Sequence, residues 1–329
     1  MENLVVIDLN AQLGHVNFNK KILSVLDDRY KISFISSKDY IEKIGYPESI
    51  VVKNDYFEYE SKYQFVIKQI LLIRYIIKNI LYKGSYSKIL VLGFENISFS
   101  IAWKRVNIPT FIISHNNLTR GKMSLFFFKK ISQDVSHIFF EKFIRDSFKE
   151  LKNEVFCIPH PINPNVENSI YTEEITNLIF CPSSSSSHTE VQRFSELVKK
   201  QSKFKLYVKS DTLNSSTNVI VKKYFNDYEK LLATSSFIFI PFKYDYRVSG
   251  VFYDAMVLKK NILTTETSGK FMKEMSRKYP NIVSVVKSFN EIDNIKSDVD
   301  IRENEFNSFI AEHSNANLKL HLERILDHD

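Results

Sequence analysis

Residues near position 250 could together hold an anion. Arg247 carries a planar cation, Ser249 a hydroxyl group, and Gly250 lets the backbone approach a ligand closely. The apolar pattern predicts a strand that ends at Pro241 and a helix that begins near Gly250, and helix starts attract phosphate because their first amides lack partners. Asp254 follows one helical turn later and could accept both hydroxyls of a ribose. This spacing predicts a nucleotide-diphosphate pocket, and the alternative is an ordinary strand-to-helix turn with a capping serine.

Short apolar runs alternate with helical segments along the chain, which predicts an α/β fold with parallel, doubly wound sheets. The length of 329 residues fits two domains of about 150 residues each. Residues 160–169, HPINPNVENS, combine two prolines with several asparagines and predict the linker between them. The strand candidates are Leu4–Leu9, Lys31–Ser36, Lys88–Leu92, Thr110–Ser114, His137–Phe140 and Glu154–Ile158, then Leu178–Cys181, Phe204–Lys209, Asn218–Val221, Phe237–Pro241, Ile262–Thr265 and Ile282–Val286.

Charge and cysteine content argue against several classes of protein. With 45 basic and 38 acidic residues the net charge is +7, yet no basic run with interleaved aromatics marks a nucleic-acid groove. Cys157 and Cys181 both lie among apolar residues in strand candidates, so neither a metal site nor a disulfide framework is predicted, and a reducing cytoplasm is expected. The first residues, MENLVVIDLN, predict a strand and not a signal peptide.

The region around position 250 also resembles a known protein family. Residues 241–265, PFKYDYRVSGVFYDAMVLKKNILTT, are similar to the C-terminal half of GT-B glycosyltransferases, in particular the large retaining family 4. Tyr246 stands in place of the first of the family's two carboxylates, and Asp254 is a shortened version of the second, so the chain resembles a divergent member. The matching positions are Pro241, Tyr246, Gly250, Asp254, Ala255 and Met256, followed by the strand Asn261–Thr265.

The resemblance implies a GT-B fold, in which two Rossmann-like α/β/α domains with parallel sheets face each other across a cleft. It implies an acceptor-side domain over residues 1–163, a nucleotide-sugar donor domain over 164–312, and a helix within 313–329 that crosses back to the first domain. The donor-binding residues it implies are Lys209, Arg247, Ser249 and Gly250 for the diphosphate and Asp254 for the ribose. Five serines at 183–187 stand where the family places another basic residue. Their hydroxyls could donate to the diphosphate, and a flexible surface loop is the alternative.

Two further loops are candidates for the sugar and acceptor side. Gly14 and His15 follow the first strand, and His115 and Asn116 lie at the carboxyl end of the fourth strand candidate, where open α/β sheets bind ligands. The resemblance places both loops near the transferred sugar and implies His115 and Arg247 as the catalytic residues. An ordinary helix cap is the alternative for His15.

The predicted activity is transfer of a sugar from a nucleotide-sugar donor to a glycan or lipid-linked acceptor. The resemblance suggests a metal-independent, hexosyltransferase-type enzyme of bacterial surface polysaccharide synthesis (capsule, O-antigen or exopolysaccharide), and it favours retention of anomeric configuration. No metal site is expected, because Asp245–Arg247 and Asp298–Asp300 lack the setting of a metal-binding Asp-x-Asp loop, and no cofactor is expected beyond the donor substrate. A nucleotide-sugar 2-epimerase on the same fold and a non-catalytic, degenerate GT-B scaffold are the alternatives.

Two apolar segments bear on contact with a membrane. Residues 65–83, FVIKQILLIRYIIKNILYK, carry Lys68, Arg74 and Lys78 at intervals that exclude a transmembrane span, and a mostly buried domain helix is the favoured interpretation. Residues 123–131, MSLFFFKKI, predict an acceptor-side loop that could dock on an anionic bilayer, with core aromatics as the alternative. The expected location is the cytoplasm, with peripheral association at the inner face of the membrane.

Overall fold

The computed structural model describes residues 1–115, 118, 121–162, 174–182, 188–200, 203–287, 291 and 299–328. The chain forms two compact units, one made of Met1–Pro161 with His313–Asp329 and the other of Ile162–Glu312. Each unit is built on one sheet whose paired strands run parallel. The prediction of two parallel α/β domains is therefore confirmed.

The sheet of the first unit has seven strands in the order β3-β2-β1-β4-β5-β6-β7. These strands are β1 (Glu2–Asp8), β2 (Tyr30–Ser37), β3 (Ser49–Val52), β4 (Lys88–Gly93), β5 (Thr110–Ile113), β6 (Val135–Phe139) and β7 (Val155–Cys157). Its helices are α1 (Val16–Leu26), α2 (Lys38–Ile44), α3 (Lys62–Ile76), α4 (Asn96–Ala102), α5 (Lys122–Phe128), α6 (Lys142–Asp146) and the final helix α12 (Asn315–Leu326). A π-helical turn, Ile77–Leu81, continues α3.

Strand order decides which face of this sheet each helix covers. The chain runs from β1 outward to β3 and then returns to β4 on the other side of β1, and right-handed crossovers place the helices of these two directions on opposite faces. Accordingly α1 packs with α2 and α12, whereas α4 packs between α3 and α5. The reversal between β1 and β4 leaves a crevice at the carboxyl ends of these strands, where open α/β sheets bind ligands.

The second unit has six strands in the order β10-β9-β8-β11-β12-β13. These strands are β8 (Ile175–Cys181), β9 (Lys205–Lys209), β10 (Val219–Lys222), β11 (Ser235–Phe239), β12 (Asn261–Thr264) and β13 (Val283–Val285). Its helices are α7 (His188–Lys199), α8 (Tyr228–Thr234), α9 (Gly250–Val257), α10 (Lys270–Lys278) and α11 (Val299–Glu312). The core between α7 and the sheet is formed by buried side chains that include Ile179, Cys181, Val191, Phe194, Leu206 and Phe239.

All twelve predicted strands are present, with ends shifted by at most a few residues. The strand β3 was not predicted, because four residues that pair with β2 alone at the edge of the sheet give too short an apolar run. α1 begins at Val16, directly after the predicted loop that contains Gly14 and His15.

Two helices correct the expectations from the sequence. Residues 123–131 were expected to form a loop, but most of them belong to α5, which begins after Gly121 at a φ of 95°. α3 was expected to be mostly buried, but it buries one side and exposes the other to solvent. No helix in the described part of the chain is both long and apolar enough to cross a membrane.

Candidate functional site

The turn from β11 into α9 presents unused hydrogen-bonding groups at a helix start. Ser249 is the N-cap of α9, and its carbonyl oxygen accepts from the Phe252 amide at 3.0 Å. Its hydroxyl makes no capping hydrogen bond, although the residue is buried. The first amides of a helix have no partner within the helix, so these amides and the hydroxyl can all be offered to an anion.

A close backbone contact fixes the loop that carries Arg247. The Gly269 amide donates to the carbonyl oxygen of Phe242 at 2.8 Å, and a Cβ atom on Gly269 would lie 2.5 Å from the carbonyl oxygen of Lys243. The Asp245 carboxylate accepts from the Lys270 amide at 2.9 Å, which ties the loop to the start of α10. The sequence did not identify Gly269, whose role depends on a contact between two segments distant along the chain.

Three of the predicted donor-side residues meet at one cavity. The guanidinium carbon of Arg247 lies 5.3 Å from the centre of the Tyr244 ring. The cavity has a volume of about 140 Å³, and its lining includes Pro182, Pro241, Phe242, Arg247, Ser249 and Gly250. Its wall therefore combines one planar cation, one hydroxyl and the backbone at a helix start, which together suit a phosphate group.

Lys209 lies outside this cavity. It is exposed at the carboxyl end of β9, and its Nζ atom is 5.5 Å from the centre of the Tyr224 ring. β8 separates β9 from β11, so the ends of those two strands are roughly 10 Å apart. A long, flexible lysine at this distance can contact the outer part of an extended ligand that is bound at the Arg247 cavity.

Asp254 lies one turn into α9 and has an altered acidity. Part of the residue is exposed, but its carboxyl group is surrounded by protein. Burial, and after it the nearby charge of Glu229 on α8, raise the pKa of Asp254 to about 6. A hydrogen-bond donor from a ligand would stabilise the ionised form of this carboxyl group.

The raised pKa of Asp254 predicts that the free energy of unfolding depends on pH. Because its pKa is raised, Asp254 keeps its proton to a higher pH in the native state than in the unfolded chain. The native state therefore has its full stability below the ordinary carboxyl pKa, and it loses stability as the pH rises through about 6 and the buried carboxyl group ionises. Asp254→Asn, which carries no charge, is therefore expected to be more stable than wild type at about pH 8, by up to roughly 2–3 kcal/mol. Thermal unfolding over a pH series measures the difference.

The difference between wild type and Asp254→Asn should largely disappear near pH 3, which lies below both the native pKa of about 6 and the ordinary carboxyl pKa of 3.8, so that Asp254 is mostly protonated in both states. Asp211→Asn, at an exposed carboxylate in the same unit, is the matched control and should change stability little at either pH. A gain in stability that persists unchanged at low pH would rule out titration of Asp254 as its cause.

In the first unit, a buried carboxylate shapes the loop after β1. One oxygen of Asp8 accepts from the amides of Asn10 at 2.8 Å and Ala11 at 3.0 Å, and the other accepts from Asn19 Nδ2 at 2.6 Å. The same Nδ2 atom donates to the Tyr40 hydroxyl at 2.9 Å. The sequence analysis missed this group, although a charged residue at the end of an apolar strand was a usable signal.

The same loop contains a strained residue. Ala11 has a φ of 47°, in the left-handed region that L-residues with a side chain avoid. Gly14 has an ordinary backbone conformation, is exposed, and has open space where a Cβ atom would be. The sharp change of chain direction is therefore made at Ala11, where the Asp8 carboxylate holds the backbone.

The predicted histidines of the sugar and acceptor side lie together. The rings of His15 and His115 are 4.8 Å apart between centres, and Phe18 of α1 lies 5.2 Å from His115. Phe140, which follows β6, is 5.7 Å from His115. Chain segments a hundred residues apart thus form one imidazole and aromatic surface at the carboxyl side of the sheet.

Two histidines beside this surface were not identified from the sequence. His160 contacts Phe140 at 4.8 Å between ring centres, and burial, then the charge of His313, lower the pKa of His160 to about 3. The His313 ring donates through Nδ1 to the carbonyl oxygen of His160 at 2.9 Å. Asn116, the serines at 183–187 and most of the linker predicted at 160–169 lie outside the described residues. Among the described residues, no three His, Cys, Asp or Glu side chains are grouped as metal ligands.

Comparisons with known proteins identify the fold. No protein-family model matches the sequence, and no curated protein is significantly similar to it. Among solved structures, a glycosyltransferase from Rickettsia africae has a TM-score of 0.72 at 14% identity, with 99% of this chain and 98% of the other covered. HepE from Anabaena, in complex with UDP, has a TM-score of 0.69 at 11% identity, with 99% of both chains covered.

A third structure, the UDP-GlcNAc 2-epimerase from Neisseria meningitidis bound to UDP-GlcNAc, has a TM-score of 0.59 at 13% identity, again with 99% of both chains covered. At identities this low, the similarity establishes the fold and not the activity. The architecture is shared over the whole chain, so this protein has the GT-B fold and is a divergent example of it.

Proposed function

We propose that this GT-B chain is a glycosyltransferase, which moves a sugar from a nucleotide-diphosphate donor to a glycan or lipid-linked acceptor. The observation that carries the proposal is the cavity at the start of α9, where Arg247, the Ser249 hydroxyl and the first helix amides converge. Two structures with the same fold, HepE and the 2-epimerase, hold UDP and UDP-GlcNAc, which supports a nucleotide-sugar donor here.

In the proposed reaction the nucleoside diphosphate is the leaving group. Negative charge develops on its outer phosphate as the glycosidic bond breaks, and a cation and amides already aimed at that position lower the barrier. Arg247 and the start of α9 supply these groups, and Lys209 contacts the remaining phosphate oxygens. Asp254 accepts the ribose hydroxyls, whose donors favour its ionised form.

The first unit supplies the sugar and acceptor side in this proposal. His115, His15 and the Gly14 loop contact the transferred sugar, with Asn116 beside them. Arg247 and His115 are the proposed catalytic residues, and the diphosphate charge is neutralised by side chains and a helix start without a metal. Retention of configuration, a hexose donor and a role in bacterial surface polysaccharide synthesis at the inner face of the cytoplasmic membrane are finer parts of the same proposal.

A nucleotide-sugar 2-epimerase is the second candidate, because one structure with this fold has that activity. Such an enzyme needs no acceptor and releases no free diphosphate into the products. Its substrate would bind at the same cavity, so the two candidates differ in their products and share the donor site.

Product analysis by ³¹P and ¹H NMR separates the candidates. The purified chain is incubated with UDP-, GDP-, dTDP-, CDP- and CMP-sugars, with and without a glycan acceptor mixture. A glycosyltransferase releases the free nucleotide and attaches the sugar to an acceptor, or slowly to water. An isomeric nucleotide sugar that forms without free nucleotide would establish the epimerase. A nucleotide sugar that binds but never turns over would favour the non-catalytic scaffold.

A further inference from the structure

The outward sides of α3, α4 and α5 expose a row of large apolar side chains. On α3, Tyr63, Ile67, Leu71 and Tyr75 recur every four residues, so they lie along one side of the helix, and all four are exposed. Tyr63 is 77% exposed, although an aromatic residue in an apolar helix is expected to be buried.

The row continues on the neighbouring helices. Ile101 on α4 is 37% exposed, and Met123 and Phe126 on α5 are 67% and 57% exposed. Because α4 packs against both α3 and α5 on one side of the sheet, these side chains belong to one surface. We call it the α3–α5 face, made of Tyr63, Ile67, Leu71, Tyr75, Ile101, Met123 and Phe126.

The segment that forms this face has a one-sided charge. Residues 61–133 contain twelve Lys and Arg residues and a single acidic residue, Glu95, whereas the rest of the chain has 33 basic and 37 acidic residues. Glu95 is buried, and its carboxylate accepts from the Ser98 amide at 2.8 Å, so it adds no charge to the surface. The exposed cations of α3, its π-helical extension and α5 that pair with no described acidic residue include Lys62, Arg74, Lys78 and Lys122.

Acidic residues lie beyond the ends of these helices. Glu58 and Glu60 precede α3, and Asp134 follows α5. Glu150, in the loop before β7, pairs with Lys129, which follows α5. The helices themselves therefore combine exposed apolar side chains with unpaired cations.

We propose that the α3–α5 face docks this protein on a lipid bilayer that contains anionic lipids. Apolar side chains on such a face insert at the boundary between headgroups and acyl chains, and the cations beside them contact headgroup phosphates. A second copy of the chain is a poorer occupant, because a symmetric pairing would bring like charges together. A nucleic acid is also a poorer partner, because its charged backbone would not bury the apolar side chains of Ile67, Leu71 and Met123. This inference does not depend on the donor chemistry.

Vesicle flotation tests the proposal directly. The full chain is mixed with vesicles of phosphatidylcholine alone or of an equimolar mixture of phosphatidylcholine and phosphatidylglycerol, and the bound fraction is measured. Binding is expected to the mixed vesicles only, and it should weaken as salt rises from about 0.1 M to about 1 M, because the screening length falls from about 10 Å to about 3 Å.

Charge reversal assigns the binding to this face. The triple variant Arg74→Glu, Lys78→Glu, Lys122→Glu is expected to lower the partition coefficient for mixed vesicles by about 100-fold, since each cation near an anionic surface contributes roughly a factor of five. The matched control is Lys20→Glu, Lys38→Glu, Lys43→Glu, which makes the same change in net charge at exposed positions of α1 and α2. It should lower binding by less than about threefold.

The apolar part of the face is tested separately. Phe126→Gln, at an exposed position, should weaken binding several-fold and leave its salt dependence unchanged, because the cations remain. Circular dichroism checks that each variant is folded. Absence of binding to mixed vesicles, or an equal loss in the α1 and α2 control, would overturn the proposal. A dimer that the α3–α5 face substitutions dissociate, without vesicle binding, would identify a second copy as the occupant.

Discussion

Replacing Arg247 by alanine is expected to lower kcat for sugar transfer by roughly 10²–10³-fold, the cost of removing one group that stabilises charge developing in a transition state. Arg247 is the one cationic side chain among the described residues that line the cavity at the start of α9, and Ser249 lines the same cavity. The loop that carries it is fixed by Gly269 and Asp245, so the cation is positioned before the donor binds. The measurement is kcat with the donor sugar identified by NMR.

Two further variants make this result specific. Arg247→Lys keeps the charge but loses the planar fork, so its kcat should lie between those of wild type and Arg247→Ala. Lys243→Ala removes an exposed cation four residues away in the same loop and should leave kcat within about threefold of wild type. Equal losses in Lys243→Ala and Arg247→Ala would mean that the charge of the loop as a whole matters, and that Arg247 has no special role.

Replacing Asp8 by alanine is expected to destabilise the first unit by about 3 kcal/mol or more, because each buried donor left without an acceptor costs roughly 1–3 kcal/mol. The partly buried amides of Asn10 and Ala11 would lose their acceptor, and buried Asn19 would keep only its hydrogen bond to the Tyr40 hydroxyl. A loss of this size lowers Tm by about 10 °C in a unit of this length, and thermal unfolding followed by circular dichroism measures it.

Substitutions at two neighbouring positions test the packing around Asp8 and the backbone of the loop separately from the hydrogen bonds of Asp8. Gly93→Ala should also destabilise, because a Cβ atom there would lie 2.6 Å from an oxygen of Asp8. Ala11→Gly should be neutral or stabilising by about 1 kcal/mol, since glycine accepts the left-handed backbone at no steric cost. An Asp8→Ala protein that melts at the wild-type temperature would show that the carboxylate does not hold the loop.

The sequence predicted the features that depend on short stretches of chain. Each strand is a short apolar run between turn residues, so all but β3 could be located, and β3 is an edge strand with only four residues. The residues at the β11–α9 turn are consecutive, and their convergence at one cavity follows from the strand and helix on either side. Whether they bind a donor stays a prediction.

Features that depend on distant contacts were not predictable in the same way. His160 and His313 are brought together only when the last helix packs on the first unit, and nothing near either residue indicates this. The exposed side of α3 was missed because an apolar helix with scattered cations is consistent with burial, and only the packing of α4 beside it decides which side faces solvent. The strain at Ala11 has no sequence signal, since the residue that usually adopts this conformation is glycine.

The most direct test of the donor site is the thermal stability of wild type and Arg247→Ala in the presence of UDP, GDP, dTDP, CDP and CMP. A ligand that binds only the native state raises its stability, by about 2.7 kcal/mol at a hundredfold excess over Kd. We expect one nucleoside diphosphate to raise the Tm of wild type and to have little effect on Arg247→Ala. No shift with any nucleotide in a folded wild-type protein, or an equal shift in both proteins, would contradict a nucleotide-diphosphate site at the start of α9.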